Sequence, residues 1–132
     1  MSNENNQHLE NVKKPIKTIL LVEDDSIISE LLIQMITQET PYKVFSVPDA
    51  LAALDLVKNI KPQLLILDYW LPIIHGIELY DRLHDTEGLE EVPAIMLSVN
   101  APLREINQRH MTYIKKPFDM LKLLDAIHRL IV

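Results

Sequence analysis

Four short apolar runs in this chain of 132 residues lead directly into side chains able to handle phosphate and metal. Run 18–22 (TILLV) ends in Glu23, Asp24 and Asp25, and run 64–67 (LLIL) ends in Asp68. Run 94–97 (AIML) ends in the hydroxyl of Ser98, and the short run 112–114 is followed by Lys115, Lys116 and Pro117. If these run ends converge, their charges must be reconciled. Two carboxylates about 4 Å apart repel by roughly 4 kcal/mol at an effective dielectric of about 20. A hard, oxygen-seeking divalent ion relieves that repulsion, and Mg²⁺ suits a site with few carboxylates and several waters. Acids, a hydroxyl and an ammonium at separate strand ends suit phosphoryl transfer, which needs mainly positioning and charge neutralisation. Taken alone, an acid after a strand is equally a loop residue or a helix cap. Asp25 fits the cap reading well, because a helical pattern starts near Ser26.

The elements that must bring these groups together follow from periodicity. Runs that are apolar throughout suit strands buried on both faces, as in a parallel sheet. Run 42–47 (YKVFSV) alternates and reads as a strand nearer the edge. Helical stripes lie between the runs: Ile27, Ile28, Leu31, Leu32 and Met35; then Ala50, Ala53, Leu54 and Val57, capped by Asp49; then Ile77, Tyr80 and Leu83, opened by Gly76. A weaker helix over 101–110 accepts Pro102 in its first turn, and Leu121, Leu124, Ile127 and Ile131 form the last stripe. This β-α pattern, repeated five times, implies an α/β fold, a doubly wound parallel sheet with helices on both sides. Right-handed crossovers allow a flavodoxin-like (βα)5 order, 2-1-3-4-5, with strands 1 and 3 adjacent at the switch point, where ligands bind. Residues 1–15 are polar and read as a flexible tail, leaving 16–132 as one domain.

Composition removes other classes. Without cysteine there is no disulfide framework, thiolate zinc site or cysteine nucleophile. Two glycines, Gly76 and Gly88, cannot build a GxGxxG or GxxxxGK loop. A net charge of −6 disfavours direct nucleic-acid binding. The longest apolar run is five residues, 50–54, where a membrane span needs about twenty, and no secretory signal pattern opens the chain. The five histidines show no ligand spacing; His75 comes nearest the site.

VEDD at run 1, LILDYWLP with Gly76 following, MLS at run 4 and YIKKPF at run 5 together resemble the receiver domain of two-component response regulators. The resemblance spans about 17–132. It implies that Asp68 accepts a phosphoryl group from a phosphohistidine of a sensor histidine kinase. It implies Asp24 as the direct Mg²⁺ ligand, Glu23 acting mostly through water, and the backbone carbonyl of Trp70 as a further ligand. Lys116 would pair with the carboxylate and then the phosphoryl group, and Ser98 would move to bind a phosphoryl oxygen. Tyr113 would be the aromatic switch residue, and the Lys116–Pro117 bond would be cis. Such a protein is a cytoplasmic phosphoacceptor switch rather than a turnover enzyme. Its helix 4, strand 5, helix 5 face would control a downstream partner or a covalent output domain. Exchange with a histidine phosphotransfer domain, as a phosphorelay intermediate, is open, as is pairing of two copies through the last helix face. Two alternatives stand beside it: a degenerate receiver that only binds proteins, and a haloacid-dehalogenase-like phosphohydrolase, whose nucleophile would end strand 1 in a D-x-D arrangement.

The sequence departs from the family pattern in three places. The stretch between Ser98 and Tyr113 is about one helical turn short, which predicts a short or shifted helix 4. Arg109 and His110 stand where Gly-Ala is common before strand 5, and Ile73 and His75 replace small and acidic loop residues. Trp70 and Asn100 sit at positions that flank the phosphate in relatives. A bulky indole there, with Val99 narrowing access, implies slow loss of phosphate that Trp70→Asn would accelerate.

Overall fold

The computed structural model describes residues 15–131. The strands are β1 (Thr18–Val22), β2 (Lys43–Val47), β3 (Leu64–Leu67), β4 (Ala94–Ser98) and β5 (Thr112–Lys115). The helices are α1 (Ser26–Glu39), α2 (Ala50–Leu56), α3 (Gly76–His84), α4 (Leu103–Gln108) and α5 (Met120–Leu130). All neighbouring strands pair in parallel in the order β2-β1-β3-β4-β5, the flavodoxin-like order expected. The tail assigned to 1–15 lies outside the described residues, apart from Pro15.

The apolar runs are continuous because the central strands face two cores. Alternate side chains of one strand point to opposite faces. Leu20, Val22, Leu65, Leu67 and Met96 join the core under α2, α3 and α4. Ile19, Leu21, Leu64, Ile66, Ile95 and Leu97 join the core under α1 and α5. Burying one such side chain contributes roughly 1.5–3 kcal/mol. β2 lies at the edge and is only half-buried, which explains its alternating sequence.

Three aspartates start helices. Asp25 accepts hydrogen bonds from the backbone N–H groups of Ile27 and Ile28, Asp49 from Ala52, and Asp119 from Leu121 and Lys122. Two helical stripes need correction. In α1 the buried residues are Leu32, Met35 and Ile36, whereas Ile27 is 78% exposed and Leu31 is exposed too. In α5 they are Leu123, Ala126 and Ile127, whereas Leu121 is 76% exposed. Both helices carry more apolar residues than one buried face can accept.

The shortened region forms a six-residue α4 that is clamped to α3. The Arg109 guanidinium forks onto Asp81 with two 2.8 Å hydrogen bonds, and the Tyr80 hydroxyl donates to the Arg109 carbonyl at 3.2 Å. The hydrogen bonds from Arg109 hold the Asp81 carboxyl below its ordinary range, against a smaller opposing effect of burial. A carboxyl lowered on folding stabilises fully above its unfolded value, about 4, and loses that contribution as pH falls through the folded value. Asp81→Asn should therefore lower stability near neutrality and leave it unchanged in acid. Urea unfolding of both proteins across that range checks this. A gap that stayed constant with pH would contradict the clamp's electrostatic basis.

Candidate functional site

Register fixes the site before any side chain is considered. Val22 pairs with Leu67, so Glu23 and Asp68 leave neighbouring strands at the same level. The Asp68 N–H donates to the Val22 carbonyl at 3.1 Å, which continues the ladder into the acid. On the other side Ser98 pairs with Lys115, and the Lys116 N–H donates to the Ser98 carbonyl at 2.9 Å. Acids, hydroxyl and ammonium thus meet at the carboxyl ends of β1, β3, β4 and β5, where open α/β sheets bind ligands.

The side chains complete a charged cluster. Lys116 Nζ lies 2.6 Å from Glu23 Oε1 and 3.1 Å from Asp68 Oδ2. Glu23 is 4% exposed and Asp68 is 8% exposed. Carboxylate oxygens of Glu23, Asp24 and Asp68 lie within 4.8 Å of one another, and Asp24 is exposed. Burial pushes the Glu23 carboxyl above its ordinary range, opposed by its hydrogen bond from Lys116. Burial alone would lower the Lys116 ammonium; the hydrogen bonds to Glu23 and Asp68 outweigh it and raise it. Three acids against one ammonium leave excess negative charge in a half-closed pocket. That donor set, all hard oxygens with one ligand open to solvent, fits a hydrated Mg²⁺ ion.

The loop after β3 is shaped to present Asp68. Asp68 Oδ1 accepts the backbone N–H of Trp70 at 3.0 Å. Gly76 lets α3 start against the strand end: a Cβ there would overlap the Asp68 carbonyl oxygen and lie 2.9 Å from Tyr69 Cα. Ile73 sits at φ 70, inside a three-residue turn closed by the Ile74 N–H on the Pro72 carbonyl at 2.7 Å. A β-branched residue is rarely found at positive φ, so this loop holds local strain beside the acid.

Ser98 is fully buried, and its hydroxyl donates to the Asn100 carbonyl at 3.2 Å. The Tyr113 ring is half-buried, and its hydroxyl donates to the Ser98 carbonyl at 3.2 Å. The Lys116–Pro117 peptide is cis. His75 is exposed and stacks on Tyr69 with ring centroids 5.1 Å apart. Lys115 is exposed. The structure therefore brings Glu23, Asp24, Asp68 and Lys116 into one cluster, with Trp70 joined to Asp68 and with Ser98 and Tyr113 joined to each other at the same rim. Sequence reasoning missed Asp119, which caps α5 immediately after this rim; a lone Asp before the last helical period was the available signal. It also missed the Asn100 carbonyl, which accepts both the Ser98 hydroxyl and, at 2.8 Å, the Trp70 indole N–H, an acceptor that no side-chain pattern reveals.

The family described as the response regulator receiver domain matches residues 19–128. Sporulation initiation phosphotransferase F of Bacillus subtilis is 27% identical over 114 residues, covering 83% of this chain and 90% of that protein. The probable transcriptional regulator ycf29 of Pyropia yezoensis is 27% identical, covering 86% of this chain and 52% of its own length. The chain thus spans about half the length of some curated relatives that it matches. Among solved structures, the signal receiver domain of an HD domain-containing protein from Pseudomonas fluorescens Pf-5 superposes with a TM-score of 0.79 at 28% identity, covering 88% of this chain and 94% of that one. The receiver domain of a sensor histidine kinase from Pseudomonas aeruginosa PAO1, solved with magnesium in its active-site cleft, gives 0.78 at 26% identity, covering 89% and 98%.

Proposed function

This chain belongs to the response regulator receiver domain family, and we propose that it accepts a phosphoryl group on Asp68 from a phosphohistidine of a sensor histidine kinase or a histidine phosphotransfer domain. The observation that carries this reading is the buried bridge of Lys116 between Glu23 and Asp68. A carboxylate oxygen of Asp68 attacks phosphorus, the N–P bond breaks, and its electron pair returns to the imidazole. The product is an acyl phosphate. Glu23, Asp24, Asp68 and the Trp70 carbonyl would hold Mg²⁺, which supplies charge neutralisation for the transferring oxygens. The magnesium in the cleft of the Pseudomonas aeruginosa receiver supports that assignment.

The protein's own groups then carry the switch. Lys116 shifts its hydrogen bonds from carboxylate to phosphoryl oxygen. Ser98 turns its hydroxyl from the Asn100 carbonyl to the phosphoryl group. Tyr113, bonded to the Ser98 carbonyl, responds to that turn, and phosphate biases two states of the α4, β5, α5 face. That face would act on a downstream protein or a covalent output domain. The donor would approach over α1, the loop after β4 and the start of α5, where the exposed Leu31, Val99 and Met120 line one groove with Lys116. The exchange would take place in the cytoplasm; among the described residues no helix is long and apolar enough to cross a membrane.

Incubation with acetyl phosphate, followed by intact mass, tests the reading. One phosphoryl group per chain is expected, dependent on Mg²⁺ and removed by hydroxylamine, as an acyl phosphate requires. Absence of any adduct would favour a degenerate receiver, and sustained hydrolysis of phosphoesters would favour a hydrolase.

A further inference from the structure

The two ends of α4 are held differently. At the C-terminal end the chain closes on itself. The His110 N–H donates to the Asn107 carbonyl and the Met111 N–H to the Ile106 carbonyl, both at 3.1 Å, with His110 at φ 56. A left-handed residue after the last turn closes a helix with this pair of bonds. The residue before it, Arg109, is fastened to α3. Its guanidinium forks onto Asp81, Nη1 also donates to the Glu105 carbonyl at 3.0 Å, and its own carbonyl accepts the Tyr80 hydroxyl. Two parallel bonds fix orientation as well as distance. At the N-terminal end Pro102 offers no side-chain acceptor to the first N–H groups. Leu103 is 56% exposed, and Val99 and Asn100 before it are exposed too. Within the helix only Ile106 is buried.

We propose that the Arg109 clamp makes the C-terminal end of α4 a fixed pivot, so that phosphorylation rearranges segment 99–104 and leaves residues 107–111 in place on α3. This rests on the phosphoacceptor reading above. A hydroxyl has one proton to donate, so Ser98 releases the Asn100 carbonyl when it turns to a phosphoryl oxygen. The disturbance therefore enters α4 through residues 99–102, at its uncapped end. It stops where the helix is bonded to α3, because further movement would break the fork and the tyrosine hydrogen bond together. The change that a partner can read on α4 is confined to a few residues around Leu103.

Asp81→Ala tests this, because it deletes both acceptors of the fork and touches no group of the phosphoryl site. Amide hydrogen exchange is followed by mass spectrometry in the parent and the variant, without and with acetyl phosphate and Mg²⁺ present throughout, and intact mass reports uptake. Uptake should be equal in the two proteins. In the parent, phosphate should alter exchange at 99–104 and leave 107–111 unchanged; in Asp81→Ala the alteration should run on through 107–111. A parent response at 107–111 as large as that at 99–104 overturns the pivot, and so does a variant response that stays confined to 99–104. A parent that takes up no phosphate overturns the phosphoacceptor reading and the pivot's role in signalling with it. A second measurement needs no phosphate: exchange at 109–111 should be roughly two- to fivefold faster in Asp81→Ala, as loss of one half-exposed ion pair implies, and unchanged exchange also overturns the pivot. Tyr80→Phe, which deletes only the hydroxyl, should shift both measurements in the same direction by less.

Discussion

Asp68→Asn should take up no phosphoryl group under conditions that label the parent to completion. An amide oxygen lacks the charge that attacks phosphorus, and the amide nitrogen is no nucleophile. The variant should still fold. Removing one of three crowded carboxylates relieves repulsion, and Lys116 retains Glu23 at 2.6 Å. The loss is therefore chemical rather than structural. A melting curve close to that of the parent, combined with an unlabelled intact mass, is the expected pair of results. The stabilisation that Mg²⁺ gives the parent should shrink in the variant, since one hard oxygen ligand is weakened. Full labelling of Asp68→Asn would place the phosphoryl group on another residue and remove the basis of the mechanism.

Lys116→Met should have the largest effect on stability. The substitution keeps an unbranched side chain of similar length and deletes the cation. Glu23 is then left buried with no ammonium, next to Asp68. Removing one partner of a buried ion pair is strongly destabilising, here by about 3 kcal/mol, or a melting point lower by roughly 10 °C. The ammonium and Mg²⁺ neutralise the same carboxylates, so each lessens the need for the other. Mg²⁺ should therefore raise the melting temperature of Lys116→Met more than that of the parent. Calorimetry of both proteins with Mg²⁺ and with chelator checks this. Equal increments in the two proteins would mean that Lys116 and the metal act on separate sites. Phosphate uptake by Lys116→Met should be slow even when Mg²⁺ restores the fold, because a charge aimed at the transferring oxygens has gone.

Much of this molecule is legible in its sequence because the central strands are buried on both sides. An unbroken apolar run such as LLIL leaves few alternatives, and the polar residue that ends it marks the rim of the sheet. Asp68, Ser98 and Lys116 were identifiable because strand ends in a parallel sheet fall on one side. The helices were less legible. α1 and α5 hold apolar residues beyond those that one face can bury, so periodicity alone could not tell Leu121 from Leu123, or Leu31 from Ile36. The surplus is exposed, and of it Leu31 and Met120 line a groove with Lys116. Contacts between distant side chains were not legible at all. Arg109 and Asp81 are separated by 28 positions, and no local rule pairs them. The tie between Trp70 and Asn100 ends on a backbone carbonyl, an acceptor that every residue carries.

The central claim is that phosphorus is carried by the carboxyl group of Asp68 and that this requires magnesium. Its most direct measurement is borohydride reduction of the phosphorylated chain, followed by peptide mapping. An acyl phosphate is reduced to an alcohol, so residue 68 should appear as homoserine only in samples given both phosphodonor and Mg²⁺. Conversion at Asp24 instead, or a phosphate that survives reduction on a serine or histidine, would contradict the account.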